Sequence, residues 1–127
     1  MAFQNYTDLA VWQKAMALTQ MVYTLVRKLP KEEMYALASQ MRRAAISIPS
    51  NIAEGRGRQT DTDFCRFLYI ARGSCNEIST QLILCVQLNY LSEEMISPAL
   101  AAADEVGRML TSLILTLSEQ PILAAKS

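Results

Sequence analysis

The sequence predicts an all-α protein: an antiparallel up-and-down four-helix bundle, formed as a single domain of residues 1–127 with its core in about residues 8–117. Three observations predict this fold. Of the 127 residues, 51% are hydrophobic, which is enough for one compact core. Only four glycines and four prolines interrupt the chain, which favours long segments over many short strands. Four segments carry apolar residues at alternating steps of three and four, the spacing of one face of a helix.

The first predicted helix begins near Thr7, whose hydroxyl can cap it, and ends before Pro30. Its core face is the row Val11, Ala15, Leu18, Val22, Leu25 and Leu29. A second apolar row lies beside this face and comprises Trp12, Met16, Tyr23 and Val26. Surface helices of small monomers seldom have so wide an apolar arc. The second row is therefore the candidate oligomer interface.

The second predicted helix is one bent element from about Glu32 to Ala53, closed by Gly55. Its core face is the row Met34, Leu37, Met41, Ala44, Ile48 and Ile52. Pro49 interrupts this face, has no N–H to bond the carbonyl of Ala45 and crowds that carbonyl, so we expect a bend there. Because the apolar spacing continues past Pro49, we expect one bent helix and not two.

The third predicted helix begins after Thr60, which stands three residues before Asp63 in the pattern of a capping box. Its core face is the row Phe64, Leu68, Ala71, Cys75, Ile78, Leu82 and Cys85. Gly73 and Ser74 lie within this helix, and small residues in a helix interior indicate the close approach of a neighbouring backbone.

The fourth predicted helix has two candidate starts, at Ser92 with the acids that follow it or at Ser97 with Pro98. Its core face is the row Met95, Ala99, Ala102, Val106, Leu110, Leu113 and Leu117. Residues 120–127 are expected to fray.

Further apolar residues fall outside the four core rows, namely Tyr35, Ile46, Ile70, Leu84 and Leu88. Together with the second row of the first helix, they exceed what four helices need for a shared core. We therefore expect a homo-oligomer that buries the excess. The alternative is that these residues broaden the core of a monomer.

The sequence contains no constellation that indicates catalysis. It has no histidine, the commonest general base and transition-metal ligand. Three acidic pairs stand in predicted first helical turns, where the helix dipole accounts for them: Glu32 with Glu33, Asp61 with Asp63, and Glu93 with Glu94. We therefore expect a protein that is not an enzyme and that uses no cofactor or metal.

The three cysteines, Cys65, Cys75 and Cys85, are spaced ten residues apart in one predicted helix, so they point in different directions. We expect buried structural thiols in a reducing compartment. The sequence begins without a secretion signal, and no apolar stretch approaches the ~18 residues of a membrane span. The expected location is the cytoplasm, without a membrane partner.

The net charge is zero but unevenly distributed. Residues 42–72 carry six basic and three acidic side chains, a net charge of +3, whereas residues 73–127 carry two and six, a net charge of −4. The basic side chains are the candidate nucleic-acid contacts: Arg42, Arg43, Arg56, Arg58, Arg66 and Arg72. The alternative is that they form ordinary solvated helix faces.

The stretch EGRGRQTD, residues 54–61, could attract a phosphate through a glycine turn and two arginines. It lacks the lysine and the spacing of a P-loop, so a cap-and-turn role is favoured. Glu54 and Glu77 fall near apolar faces and would need a paired donor if enclosed. Arg42 or Arg43 is the expected partner in such a structural ion pair.

Three segments resemble the four-helix-bundle proteins first found encoded in intervening sequences of bacterial 23S rRNA genes: DLAVWQKAMAL, QMRRAAISIPSNIAEGRGR and FLYIARGSCNEISTQL. The likeness spans Asp8 to Leu117 and is densest from Gln40 to Gly55. It implies an antiparallel bundle assembled into a homopentamer, with no catalytic residue to carry over. The chain is also similar to the accessory variability determinant of diversity-generating retroelements, a pentameric relative whose basic surface binds nucleic acid and a reverse transcriptase.

The expected function is therefore that of a non-enzymatic homo-oligomeric bundle that binds RNA or DNA through its basic region. The alternative is an oligomeric scaffold whose partner is another protein. The two differ in whether structured RNA is retained in a salt-sensitive way.

Overall fold

A computed structural model describes the backbone of residues 5–126 and the side chains of residues 5–118. Its four helices are α1 (Ala10–Val26), α2 (Leu37–Arg56), α3 (Asp61–Gln87) and α4 (Glu93–Lys126). Residues 5–126 contain no strand. Each helix packs against the next along the chain, and α1 also packs against α4, so the four close into a bundle. The predicted all-α four-helix fold is confirmed.

The α1 helix starts later than predicted. The side-chain oxygen of Asn5 accepts a hydrogen bond from the N–H of Thr7 at 3.2 Å and caps a separate 3₁₀ turn, Tyr6–Asp8. The α-helix begins at Ala10, after Leu9, which provides no side-chain cap. The prediction that Thr7 caps the helix is wrong, because Thr7 lies inside this preceding turn.

The α2 helix continues through Pro49, which confirms one helix and not two. It begins at Leu37 and not near Glu32, since residues 31–33 form a second 3₁₀ turn. Gly55 does not close it, because Gly55 lies buried in the last turn; the helix ends at Arg56, and Gly57 is its cap residue. The bend at Pro49 stays a prediction.

Small residues allow α2 and α3 to approach closely. A β-carbon added to Gly55 would lie 2.8 Å from Cβ of Phe67 and 2.9 Å from Cδ1 of Phe64. Further along the antiparallel pair, the hydroxyl of Ser74 donates a hydrogen bond to that of Ser47 at 2.9 Å. The predicted close approach is thus confirmed at Ser74, but it is wrong at Gly73, which faces open space.

The ends of α3 and the start of α4 follow local signals. The hydroxyl of Thr60 accepts a hydrogen bond from the N–H of Asp63 at 3.1 Å, as predicted. After α3, Asn89 takes the left-handed conformation with φ of 62°. The hydroxyl of Ser92 accepts a hydrogen bond from the N–H of Met95 at 3.1 Å, so the first of the two candidate starts of α4 is correct. The α4 helix is assigned as far as Lys126, and the fraying of residues 120–127 stays a prediction.

The predicted core rows are confirmed in most positions. The largest fully buried side chains include Leu18, Met41, Ile48, Leu68, Ile78, Leu82 and Leu110. Met34 and Met95 are exceptions, with 45% and 38% of their surfaces exposed. Met34 precedes α2, and the inner face of α4 uses Ile96 in place of its neighbour Met95.

Candidate functional site

The six candidate arginines do not form one surface of the subunit. Arg42 and Arg43 lie near the start of α2 and Arg56 at its end, about 20 Å away at a rise of about 1.5 Å per residue. Arg42 donates a hydrogen bond to the carbonyl oxygen of Met34 at 3.4 Å. Arg43 is exposed and forms no ion pair with a described side chain.

Arg58 and Arg66 both contact the ring of Phe67, near the loop that joins α2 to α3. Their guanidinium carbons lie 4.7 and 4.6 Å from the ring centroid, within cation–π range. Arg58 also pairs with Glu54 at 3.1 Å, and Arg66 pairs with Asp63 at 2.9 Å. We call these five residues the Phe67 cluster. Its two positive charges are balanced by two carboxylates, which weakens its attraction for a polyanion.

Phe67 was not identified from the sequence as a functional residue. Its neighbour Arg66 was, and an aromatic side chain directly after a basic one is the signal that could have indicated it. The ring lies within cation–π range of both guanidinium groups and so brings them close together in the subunit.

Arg72 lies apart from the Phe67 cluster, in a groove between α3 and α4. Its Nη1 donates a hydrogen bond to the hydroxyl of Thr111 at 3.3 Å, and its guanidinium carbon lies 4.8 Å from the ring centroid of Tyr69. The groove has a volume of about 580 Å³ and a mostly polar lining that includes Arg108, itself paired with Asp104. Arg72 therefore belongs to a different surface from Arg58 and Arg66.

The predicted structural ion pairs do not form within the subunit. Glu54 and Glu77 are both exposed, so neither requires a buried partner. Glu54 pairs with Arg58, one helical turn away, and no described cation pairs with Glu77. The assignment of Arg42 or Arg43 as their partner is wrong because nearness to an apolar face did not mean enclosure.

The predicted interface row of α1 is only partly exposed. Val26 is 5% exposed and belongs to the core, so its assignment to the interface is wrong. Trp12 is half-buried, with its ring centroid 5.4 Å from that of Tyr6 in an edge-on contact. Met16 is 37% exposed and Tyr23 is half-buried. These three side chains remain available to a partner.

The other apolar residues outside the core rows are all on the surface. Their exposed fractions range from 38% to 92% in Tyr35, Ile46, Ile70, Leu84 and Leu88. The alternative interpretation, that they broaden the core of a monomer, is therefore wrong for these five side chains, although it holds for Val26. Large apolar side chains left exposed in this number are a feature of interaction surfaces.

The described residues indicate neither a metal site nor a reactive thiol. Within residues 5–118, no group of three His, Cys, Asp or Glu side chains is placed to hold a metal ion. The three cysteines are buried and unpaired. Burial raises the pKa of the Cys75 thiol to about 12, and it also raises the pKa of Cys65 and of Cys85. Neutral buried thiols are poor nucleophiles.

Across the described part of the chain, no helix combines the length and the apolar character that crossing a bilayer requires.

Known proteins match the chain over most of its length. Residues 7–112 match the family described as 23S rRNA-intervening sequence protein. A crystal structure of a protein with unknown function, from the S23 ribosomal protein family of Bacteroides thetaiotaomicron VPI-5482, is 25% identical in sequence. It superposes with a TM-score of 0.77 over 83% of this chain and 98% of that one. No curated protein matches. The chain belongs to the 23S rRNA-intervening sequence protein family.

Proposed function

We propose that the protein is a non-enzymatic, homo-oligomeric structural module. The observation that carries this proposal is the set of large apolar side chains left exposed around a complete core, among them Tyr35 at 92% and Ile70 at 45%. Each such side chain exposes apolar area to water. Association would bury this area and would stabilise the assembly by about 25 cal/mol per Å² buried. A stable monomer of this size gains nothing from these side chains.

The resemblance to pentameric bundles supports five as the number of copies. The three cysteines are free thiols, which supports a reducing compartment and hence the cytoplasm. In oxidising compartments, small proteins commonly form disulfides. The test is sedimentation equilibrium at micromolar concentration, which gives the mass independently of shape. A mass of one subunit would overturn the proposal.

A second candidate function is binding of RNA or DNA at the Phe67 cluster. Its support is the pair of guanidinium groups, Arg58 and Arg66, held ready on one aromatic ring. Oligomer symmetry would repeat this pair, so that several copies could contact one polyanion. Because Glu54 and Asp63 compete for the same arginines, we expect modest affinity that falls steeply with salt.

Fluorescence anisotropy with a labelled structured RNA tests this second candidate at about 50 and 200 mM salt. The variant Arg58→Gln with Arg66→Gln should lose binding, whereas Arg108→Gln, which also removes an ion-paired surface arginine, should retain it. Equal binding by both variants would exclude the Phe67 cluster. Absence of binding by the unaltered protein would favour the alternative, a scaffold for another protein.

A further inference from the structure

A row of residues runs along α3 beside its core face, toward α2. Its members follow alternating steps of four and three and therefore share one side of the helix: Ile70, Ser74, Glu77, Gln81, Leu84 and Leu88. We call this the α3 outer row. Ser74 fixes its direction, because its hydroxyl bonds Ser47 of α2. Leu84 and Leu88 are 38% and 43% exposed.

The α3 outer row contains an acceptor that finds no donor among the described residues. Gln81 is 6% exposed, and its Oε1 has no hydrogen-bond partner among the described residues. Buried amide oxygens are nearly always paired, because leaving one unpaired is destabilising. A donor from outside the subunit, reached by rotation of the side-chain amide, would complete this hydrogen bond.

A corresponding row on α1 also flanks α2. It comprises Trp12, Met16, Thr19 and Tyr23, again at steps of four and three, and we call it the α1 outer row. The hydroxyl of Thr19 lies 3.0 Å from the carbonyl oxygen of Ala45 in α2, which fixes the direction of this row as Ser74 does on α3. Trp12, Met16 and Tyr23 all keep exposed surface.

The α1 outer row contains donors without acceptors. The indole N–H of Trp12 and the hydroxyl of Tyr23 make no hydrogen bond with another described residue, as the hydrogen bonds of residues 5–118 show. Glu77 on the α3 outer row lacks a cation, and Arg27, one turn beyond Tyr23, lacks an anion among the described side chains. The two rows are thus complementary in hydrogen bonding, and Arg27, just beyond the α1 outer row, is complementary in charge to Glu77.

The positions of the two rows suit a closed ring. Both lie beside α2, on adjacent faces of the bundle, and adjacent faces of a four-helix bundle point about 90° apart. A ring of n copies needs contact faces that point 180° − 360°/n apart, which is about 90° for four copies and about 108° for five. The ridge of α2 between the rows would then lie nearest the ring axis.

We infer that the α3 outer row of one copy packs against the α1 outer row of a second copy, head to tail, and that this contact repeats to close a ring. The inference rests on the proposed homo-oligomer and identifies its contact surfaces. A polyanion is a poor occupant of the α3 outer row, whose one charged member is acidic. A second copy supplies the apolar area, the donor and the cation together.

The test uses Leu84→Glu on the α3 outer row and Met16→Glu on the α1 outer row, each with an adjacent control. The controls, Ile83→Glu and Ala17→Glu, add the same charge at an exposed position that points about 100° away on the same helix. Circular dichroism checks that all four remain helical. Native mass spectrometry and sedimentation velocity then give the size of each assembly.

Head-to-tail contact predicts that both row variants are monomers and that both controls remain rings. It also predicts that an equal mixture of Leu84→Glu and Met16→Glu forms a 1:1 heterodimer, because one intact row of each kind remains. Gln81→Leu should raise the dissociation constant of the assembly about tenfold without lowering the melting temperature of the isolated subunit.

Other outcomes separate this inference from the proposed function. A Leu84→Glu variant that remains a ring, or row variants that form homodimers, would overturn the contact while leaving the homo-oligomer in place. An unaltered protein that is monomeric would overturn both.

Discussion

The hydroxyl of Thr19 in α1 lies 3.0 Å from the carbonyl oxygen of Ala45 in α2. That carbonyl is the one that loses its helical donor, because residue 49 is proline and has no N–H. The same hydroxyl lies 2.9 Å from the carbonyl oxygen of Ala15, so its proton is shared between two acceptors. A neighbouring helix thus supplies the hydrogen bond that Pro49 removes from α2, and the helix continues through the proline.

We predict that Thr19→Val lowers the free energy of unfolding by about 1–2 kcal/mol, because it leaves the buried carbonyl of Ala45 without a donor. In a Pro49→Ala background, the N–H of residue 49 replaces that donor. The cost of Thr19→Val should then fall by at least about 0.5 kcal/mol. Urea unfolding of the four proteins of this cycle measures the difference, and equal costs in both backgrounds would contradict the assigned role.

The contact at Gly55 predicts opposite effects of the same substitution at two helical glycines. Gly55→Ala should destabilise the protein by about 1–3 kcal/mol, since its β-carbon would lie 2.8 Å from Cβ of Phe67. Gly73→Ala in α3 meets open space and should stabilise by about 0.5–1 kcal/mol. Thermal unfolding compares the two, and a stabilising Gly55→Ala would show that α2 and α3 do not pack as described.

Core positions were predictable from the sequence because burial follows apolar periodicity. Leu18, Ile48 and Leu82 needed only the spacing of their own helix to be placed inside. Contacts between helices were less predictable, because periodicity gives a direction and not the residue opposite. The supply of a donor by Thr19 and the packing of Gly55 on phenylalanines both depend on where a second helix lies.

Interactions between residues close in the sequence account for the other differences between the predictions and the structure. Thr7 has the residue type of a helix cap, but Asn5 forms a turn first and delays the helix to Ala10. We expected Glu54 to pair with Arg42 or Arg43 near the start of α2. Instead it pairs with Arg58, which is only four residues further along the chain. The sequence singled out Arg58 and Arg66 but not the acids, Glu54 and Asp63, that pair with them.

Cys75 should make the protein less stable in alkaline solution. Its pKa is about 12 in the folded protein because of burial, against 9.0 for an ordinary cysteine. Above pH 9, the unfolded chain loses this proton while the folded chain keeps it. The free energy of unfolding should therefore decrease by about 1.4 kcal/mol per pH unit from this group up to pH 12.

The measurement is denaturant unfolding between pH 8 and about 11, with Cys75→Ala as the control that retains all other titrating groups. As the pH rises, the free energy of unfolding should decrease more in the unaltered protein than in Cys75→Ala. A difference that stays constant with pH would show that the Cys75 thiol titrates normally.

Tyr90 provides a spectroscopic check on the end of the bundle where two loops meet. Its hydroxyl donates a hydrogen bond to Oε2 of Glu33 at 2.8 Å, and this bond to a carboxylate raises the pKa of Tyr90. Ultraviolet titration should show a tyrosine that ionises at higher pH than tyrosine ordinarily does. Glu33→Gln removes the largest cause and should lower the pKa of Tyr90, and a Tyr90→Phe titration identifies the signal. An unchanged titration in Glu33→Gln would show that the loops are not joined in this way.

The mass of the unaltered protein in solution tests the proposed homo-oligomer most directly. Sedimentation equilibrium at micromolar concentration should give a closed assembly, five times the subunit mass of 14.2 kDa by the resemblance to pentameric bundles. A single species of 14.2 kDa over the whole micromolar range would contradict the account, because the exposed apolar rows would then have no partner.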